Sequence, residues 1–194
     1  KDKFLEKINF LIIILILFFS QNLYAENIYE KIYNYNEGLR NSSANFIQTN
    51  HKDVQEGVVY FGDKRIKIDY KKPRNLTIIL SEKKGMYINH ELEETEFFLT
   101  KKSYIKIFFD IFKKENYIKN MNIKQLDNRV EISEKNKLDN NFFNIKLVYE
   151  NDPIKLRLLE IISDDEKIQM GFFDHKFEKF FDDSFFSMID PYLN

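Results

Sequence analysis

The spacing of apolar residues predicts one amphipathic helix at residues 27–39, followed by a block of strands. In the helix, apolar residues recur every three or four positions, at Ile28, Ile32, Tyr35 and Leu39. From Ser43 to about Thr100 the period changes to two, which is typical of strands with one buried face. The predicted strands of this block contain Phe46–Gln48, Gly57–Phe61, Ile66–Tyr70, Leu76–Leu80, Met86–Ile88 and Glu94–Leu99.

Residues 104–113 (YIKIFFDIFK) interrupt the alternation and predict a short, very apolar helix. One face of this helix would carry Ile105, Phe108, Phe109 and Phe112. A second block of candidate strands follows, at 121–127, 129–134, 143–150, 155–163, 167–173 and 176–181. Short strands at this spacing indicate a mainly β fold, either an antiparallel barrel or a strongly curved sheet.

The first 25 residues have the pattern of a secretory signal peptide. Lysines at positions 1, 3 and 7 precede an apolar run at 10–19, and Ala25 stands before Glu26. The alternative is a retained membrane anchor. A spanning helix needs about 20 apolar residues, and the run at 10–19 has ten. We therefore expect export, cleavage near Ala25, and one mature domain at 26–194. Because no cysteine follows the run, we do not expect the chain to be a lipoprotein itself.

The composition and the candidate chemistry argue against several function classes. The predicted mature chain carries 27 basic and 29 acidic residues, which disfavours nucleic-acid binding. His51, His90 and His175 have no partner at metal-ligand spacing, and the acidic segments 91–96 and 164–166 are typical of solvated turns. Neither a nucleophile elbow nor a phosphate-binding glycine loop is present in the sequence. We therefore expect no enzyme activity, no metal and no cofactor.

Apolar surface is what remains as a candidate functional feature. Ile66, Ile68 and Tyr70 share one face of a predicted strand, and the apolar helix presents another such face. A filled core and a ligand cavity produce the same alternation of apolar and polar residues. The pattern alone therefore leaves both alternatives open.

Residues 44–99 resemble the periplasmic outer-membrane lipoprotein carrier family (LolA-like). The shared features are an F-x-Q segment, a glycine that opens a strand, a basic strand that ends in proline, an apolar strand, a tyrosine-containing strand and an acidic turn with leucine. The matching segments are 46–48, 55–57, 65–73, 76–81, 86–89 and 91–93, and 183–191 is similar to the family's closing strand. Two features differ from the family pattern, because 82–85 replaces an Asp-Gly turn and Ile66 and Ile68 replace aromatic residues.

The resemblance implies an incomplete, strongly bent antiparallel barrel of about 10–12 strands, with the helices acting as a lid over a lipid-binding cavity. It places the cavity lining at Ile66, Ile68, Tyr70, Ile78, Leu80 and Tyr87. It places the lid at Ile105, Phe108, Phe109 and Phe112, with Arg65 or Lys67 as a latch to lid carbonyl groups.

The resemblance also implies a soluble, monomeric periplasmic carrier. Its partners would be acylated lipoproteins, an inner-membrane ABC-type release complex and an outer-membrane acceptor. The alternative is a periplasmic sensor or adaptor of the same fold, which would bind a protein partner or another lipid. A continuous pocket under the helix at 104–113 would favour the carrier, and a filled core would favour the adaptor.

Overall fold

The computed structural model describes residues 27–50, 53–102, 104–114, 117–138, 141–163 and 167–193. The predicted signal peptide, His51 and the acidic segment 164–166 lie outside the described residues. The contacts reported below belong to one compact unit, Ile32–Asn194. Across the described ranges, the helices are all too short or too polar to span a membrane.

Two α-helices and eleven strands form the described part of the chain. The helices are α1, Ile28–Gly38, and α2, Tyr104–Lys113. The strands are β1 Ser42–Thr49, β2 Val54–Phe61, β3 Ile66–Lys72, β4 Leu76–Leu80, β5 Lys84–Asn89, β6 Glu94–Leu99, β7 Asn122–Gln125, β8 Arg129–Leu138, β9 Asn141–Asn151, β10 Ile154–Ile162 and β11 Lys167–Lys176. Short 3-10 turns lie at Thr100–Lys102, Tyr117–Asn120 and Asp183–Phe186.

All eleven strands belong to one antiparallel sheet that does not close. Their order is β6-β5-β4-β3-β2-β1-β11-β10-β9-β8-β7. Two meanders, β1–β6 and β7–β11, are therefore joined by the pairing of β1 with β11, in which Phe46 lies opposite Phe172. Strands β6 and β7 are the two edges. The structure confirms the predicted fold class: mainly β, antiparallel and incomplete, with an N-terminal helix and a short mid-chain helix.

Alternation along β3 shows how the sequence creates an inner and an outer face of the sheet. Ile66, Ile68 and Tyr70 are buried on the inner face. Lys67 and Asp69 lie on the outer face, where the lysine Nζ is 3.5 Å from an aspartate carboxylate oxygen. Because neighbouring strands are in register, each inner residue of β3 faces an apolar inner residue of β4. Across β3 and β4 the inner face is thus continuously apolar.

Helix α2 packs on this inner face and lies across the junction of the two meanders. The Phe112 ring is centred 4.9 Å from the Phe61 ring on β2 and 6.4 Å from the Phe172 ring on β11. On its polar side, Lys106 forms an ion pair with Asp110 one turn later. The helix therefore buries its apolar stripe against both halves of the sheet.

The C-terminal segment covers the outer face instead of adding a strand. Strand β11 ends at Lys176, so the predicted strand at 176–181 is wrong, and the family-like closing strand is a 3-10 turn, Asp183–Phe186. Glu178 has a φ of 54°, so the backbone leaves the extended conformation two residues after β11 ends. Phe181, Phe185 and Phe186 pack on one another, and the Phe185 ring lies 4.9 Å from the Tyr60 ring. This packing explains why strong β-forming residues leave the sheet here.

Candidate functional site

An apolar pocket lies between α2 and the inner face of the sheet. The first meander contributes Gln48, Ile68, Tyr70, Ile78 and Leu80 to its wall. Helix α2 contributes Tyr104, Ile105 and Phe108. The second meander contributes Leu159, Ile161, Ile168 and Met170. Both halves of the sheet and the helix therefore meet at this one cavity.

The structure brings most of the predicted cavity residues together. Four of the six, Ile68, Tyr70, Ile78 and Leu80, line the pocket. Ile66 is fully buried on the same face but lies outside the lining. Tyr87 pairs with Ile78 across β4 and β5, yet it is half-buried and also lies outside the lining.

The four predicted lid residues divide between three surroundings. Ile105 and Phe108 line the pocket. Phe112 contacts the sheet through Phe61, and Phe109 is buried but lines a separate cleft described below. The helix therefore covers the pocket with its first two turns and contacts the sheet directly with its last turn.

The pocket is open space, but it is small in this conformation. Its cavity volume is about 60 Å³, which is on the scale of a few water molecules. Pockets that bury drug-sized ligands usually measure about 300–1,000 Å³. A long apolar ligand would therefore require α2 to move away from the sheet.

Hydrogen bonds satisfy the polar groups at one side of the pocket. The Tyr70 hydroxyl donates to Gln48 Oε1 at 2.9 Å, and Gln48 Nε2 donates to Gln55 Oε1 at 3.4 Å. Burial raises the pKa of the Tyr70 hydroxyl above its ordinary value, and Tyr104 raises it further. Tyr70 therefore stays neutral, and its ring rests edge-on against Phe46 with the centroids 5.2 Å apart.

The second meander's part in the pocket was missed by the sequence reasoning. Ile168 and Met170 alternate in the sequence, and that signal was visible. Which cavity they face depends on the β1–β11 pairing, because Met170 lies opposite Gln48 across that junction. The sequence contains no local mark of a pairing between residues so far apart.

Among the described residues, neither predicted latch residue forms a hydrogen bond or an ion pair with α2. Arg65 Nη1 donates to the backbone oxygen of Phe186 in the C-terminal segment, at 2.5 Å. Lys67 lies on the outer face, with its Nζ 4.3 Å from the centre of the Phe185 ring. Both cations therefore hold the C-terminal segment rather than the predicted lid.

Lys113 joins α2 to the sheet in the opposite sense to the predicted latch, because here the cation belongs to the helix and the carbonyl group to the sheet. It ends α2, and its ammonium donates to the backbone oxygen of Gly62 in the β2–β3 turn. Burial and nearby Arg40 lower the pKa of Lys113 to about 8, while Asp63 and Glu37 partly oppose that shift. A half-buried cation thus joins the helix to the sheet through a carbonyl group.

The two described histidines have structural partners. His90 forms hydrogen bonds through both ring nitrogens. Its Nε2 lies 2.9 Å from Thr77 Oγ1, and its Nδ1 lies 2.9 Å from the Tyr192 hydroxyl oxygen. His175 contacts the Tyr35 hydroxyl at 3.2 Å and the Leu156 carbonyl oxygen at 3.0 Å. In the described ranges, His, Asp and Glu side chains do not gather in threes in a way that could hold a metal ion.

Comparison with known proteins supports the fold and leaves the function open. No family model matches the chain, and neither does any curated protein. An uncharacterized conserved protein from Thermus thermophilus has a similar structure, with a TM-score of 0.50 and 7% identity over 81% of this chain and 89% of that chain. PNGF-II structures in two crystal forms match with TM-scores of 0.37 and 0.35 at 6% identity, and cover 75% of this chain. The chain spans 29–30% of PNGF-II, and a likeness of this strength supports no conclusion.

Proposed function

We propose that this chain is a soluble, monomeric periplasmic carrier that shields the acyl chains of lipoproteins and moves them from the inner to the outer membrane. The observation that carries the proposal is the apolar pocket under α2, lined by Ile68, Tyr70, Ile78 and Leu80 from the sheet and by Phe108 from the helix. The family resemblance of residues 44–99 adds the direction of transport. It also adds the partners, an inner-membrane ABC-type release complex and an outer-membrane acceptor.

Loading requires α2 to separate from the sheet, because the closed pocket is too small for an acyl chain. Burying one methylene group contributes about 0.8 kcal/mol, so a chain of ~15 contributes on the order of 12 kcal/mol. Withdrawing Phe108, Phe109 and Phe112 from apolar contact costs roughly 1.5–3 kcal/mol each. The acyl chain therefore offsets lid opening and leaves a surplus of several kcal/mol. Binding that is favourable yet limited suits a carrier that must also release its cargo.

The proposal is tested by titrating the mature protein with a fluorescent fatty-acid analogue and with an acylated lipoprotein. We expect one-to-one binding, and we expect Phe108→Asp to abolish it because a carboxylate would then enter the pocket. The matched control is Phe142→Asp, which makes the same change at a side chain that is 57% exposed outside the pocket.

A second variant separates loss of binding from loss of folding. Ile78→Trp fills the pocket with apolar volume, so the protein should remain folded by circular dichroism while ligand binding falls. A wild-type protein that is folded and monomeric, yet binds neither probe, would refute the carrier function. N-terminal sequencing of protein from a periplasmic extract tests export separately, and the chain should then begin at Glu26.

One observation favours the alternative, a sensor or adaptor that binds a protein partner. Edge strand β6 exposes 55% of Phe97 and 75% of Leu99, and an open edge can accept a strand from another protein. In that case a Phe97→Lys variant would lose its partner, while Phe108→Asp would keep it. The carrier function predicts the opposite result for the pair.

A further inference from the structure

A basic cleft with a volume of about 810 Å³ lies beside α2. Its walls are residues 63–65 of the β2–β3 turn, 81–84 around the β4–β5 turn, and one side of α2 from Lys106 to Lys113, with Lys114 directly after the helix. Seven basic and three acidic side chains line it, so its net charge is +4. The whole chain carries a net charge of −1. The cleft is therefore much more positive than the chain as a whole.

The topology explains why these segments meet. In an antiparallel meander, alternate turns lie at the same end of the sheet, so the β2–β3 and β4–β5 turns are close together. Strand β6 ends there too, because Leu99 pairs with Lys84. Helix α2 ends against the same turns, where Lys113 donates to the Gly62 carbonyl oxygen.

In the part of the chain that the structure describes, most of the cations in the cleft have no ion-pair partner. Among the described residues, no carboxylate lies within ion-pair distance of Lys64, Lys83, Lys84 or Lys114. Lys113 is half-buried, and its hydrogen bond goes to a carbonyl oxygen rather than to an acid. Asp63 and Glu37 only partly offset the burial of this cation, and a bound anion would relieve the remaining cost.

The cleft and the apolar pocket share one wall. Leu80 lines the pocket and the next residue, Ser81, lines the cleft. In α2, Phe108 lines the pocket while Phe109 lines the cleft. Neighbouring Cα atoms are only about 3.8 Å apart. An apolar chain and a charged group of the same molecule could therefore occupy the two spaces together.

We propose that the basic cleft binds the phosphate-bearing head group of a lipid whose acyl chains enter the pocket under α2. The proposal rests on the proposed function for the position of the chains and adds a second class of cargo, since the acyl chains of a lipoprotein are not linked through a phosphate. Lysines recognise phosphate oxygens through charge-assisted hydrogen bonds, and the shared wall places such a phosphate directly beside the acyl chains. Among free diacyl lipids, those with a phosphate at that position are therefore preferred over those with a neutral head group.

The test compares three probes on the full mature protein. They are a fluorescent diacyl phosphatidic acid, a diacylglycerol with the same chains and label, and inorganic phosphate as a competitor. At low ionic strength we expect the phosphate-bearing lipid to bind at least tenfold tighter than the diacylglycerol. This ratio should shrink in high salt, which screens exposed charges.

Charge-reversal variants locate the effect. A Lys64→Glu, Lys83→Glu double variant changes two exposed turn residues, so the fold should persist, and it should lower the ratio toward one without weakening diacylglycerol binding. A Lys119→Glu, Lys124→Glu double variant makes the same charge change outside the cleft and should leave the ratio intact.

The outcomes separate the two proposals. Equal affinities for both lipids overturn the head-group site and leave the carrier function standing. If neither lipid binds, the proposed function fails as well. Two further results also overturn the lipid assignment. In the first, inorganic phosphate at matching concentration displaces the lipid. In the second, the protein sediments with phosphatidylglycerol vesicles but extracts no lipid.

Discussion

Substituting Gly57 by alanine should destabilise the protein because the sheet leaves no space for a side chain there. A Cβ atom at this position would lie 2.2 Å from the backbone oxygen of Asp69 and 2.8 Å from the Phe46 ring. The register between β2 and β3 shifts at this point, between Glu56 and Gly57. The Asp69 oxygen belongs to the neighbouring strand, so relief requires the two strands to separate.

The size of the effect follows from these distances. Overpacking a well-packed region costs typically about 1–3 kcal/mol, and a clash with backbone belongs at the upper end of that range. Alanine also lowers the conformational entropy of the unfolded chain, which offsets about 0.4–1 kcal/mol of this loss of stability. The net loss is therefore about 2 kcal/mol. For a domain of this size, about 2–4 °C per kcal/mol makes the expected fall in Tm about 4–8 °C.

Gly171→Ala is the matched control, because Gly171 also lies within a strand. Its nearest neighbours would be backbone oxygens at 3.8 and 3.9 Å, which is ordinary contact. Thermal and urea unfolding of the mature chain, followed by circular dichroism, should show a change within about 0.5 kcal/mol for this variant. Equal effects of the two substitutions would refute the steric reasoning.

The Gly57 substitution also reaches the proposed lipid pocket. The Phe46 ring that it displaces lies edge-on against Tyr70, and Tyr70 lines the pocket. Ligand affinity should therefore fall with Gly57→Ala even at temperatures where the protein is folded, and it should be unchanged in the control.

Two further predictions concern α2 and the C-terminal segment. Burial lowers the pKa of Lys113 to about 8, against about 10.4 in the unfolded chain. The wild type should therefore gain stability as the pH rises from about 8 to about 10.4. Lys113→Met should lack this gain. At pH 7 the variant should be more stable by about 1–2 kcal/mol, after allowance for the partial exposure of the side chain, and a difference that is independent of pH would contradict the assignment. Tyr192→Ala should cost about 1–3 kcal/mol in urea unfolding, because Tyr192 packs on the buried cluster of Ile79, Met86 and Ile88 and its hydroxyl binds His90. Leu193→Ala, at a side chain that is 78% exposed, should cost almost nothing.

The bounds of several elements were predictable from the local sequence pattern. Helix α2, Tyr104–Lys113, and strands β4, Leu76–Leu80, and β6, Glu94–Leu99, have the predicted bounds. The wrong prediction, a strand at 176–181, shows the limit of the approach. Phenylalanine-rich sequence favours strands, but Phe181 and Phe185 stack on each other on the outer face, with ring centroids 4.9 Å apart. Propensity could not show that a second surface was available for them.

The sequence by itself determined the elements and the side chains that face inward. Side-chain direction follows from the local backbone period, so Ile68, Tyr70 and Phe108 could be assigned to apolar faces before any contact was known. Only the tertiary structure decided that these faces enclose a pocket, how small it is, and that Met170 completes it. Those properties depend on the register between β1 and β11, which are more than 100 residues apart in the chain. The tertiary structure also decided that Arg65 binds the C-terminal segment and that Lys113 joins α2 to the sheet. The direction of a long charged side chain depends on which carbonyl oxygens the fold brings within its reach.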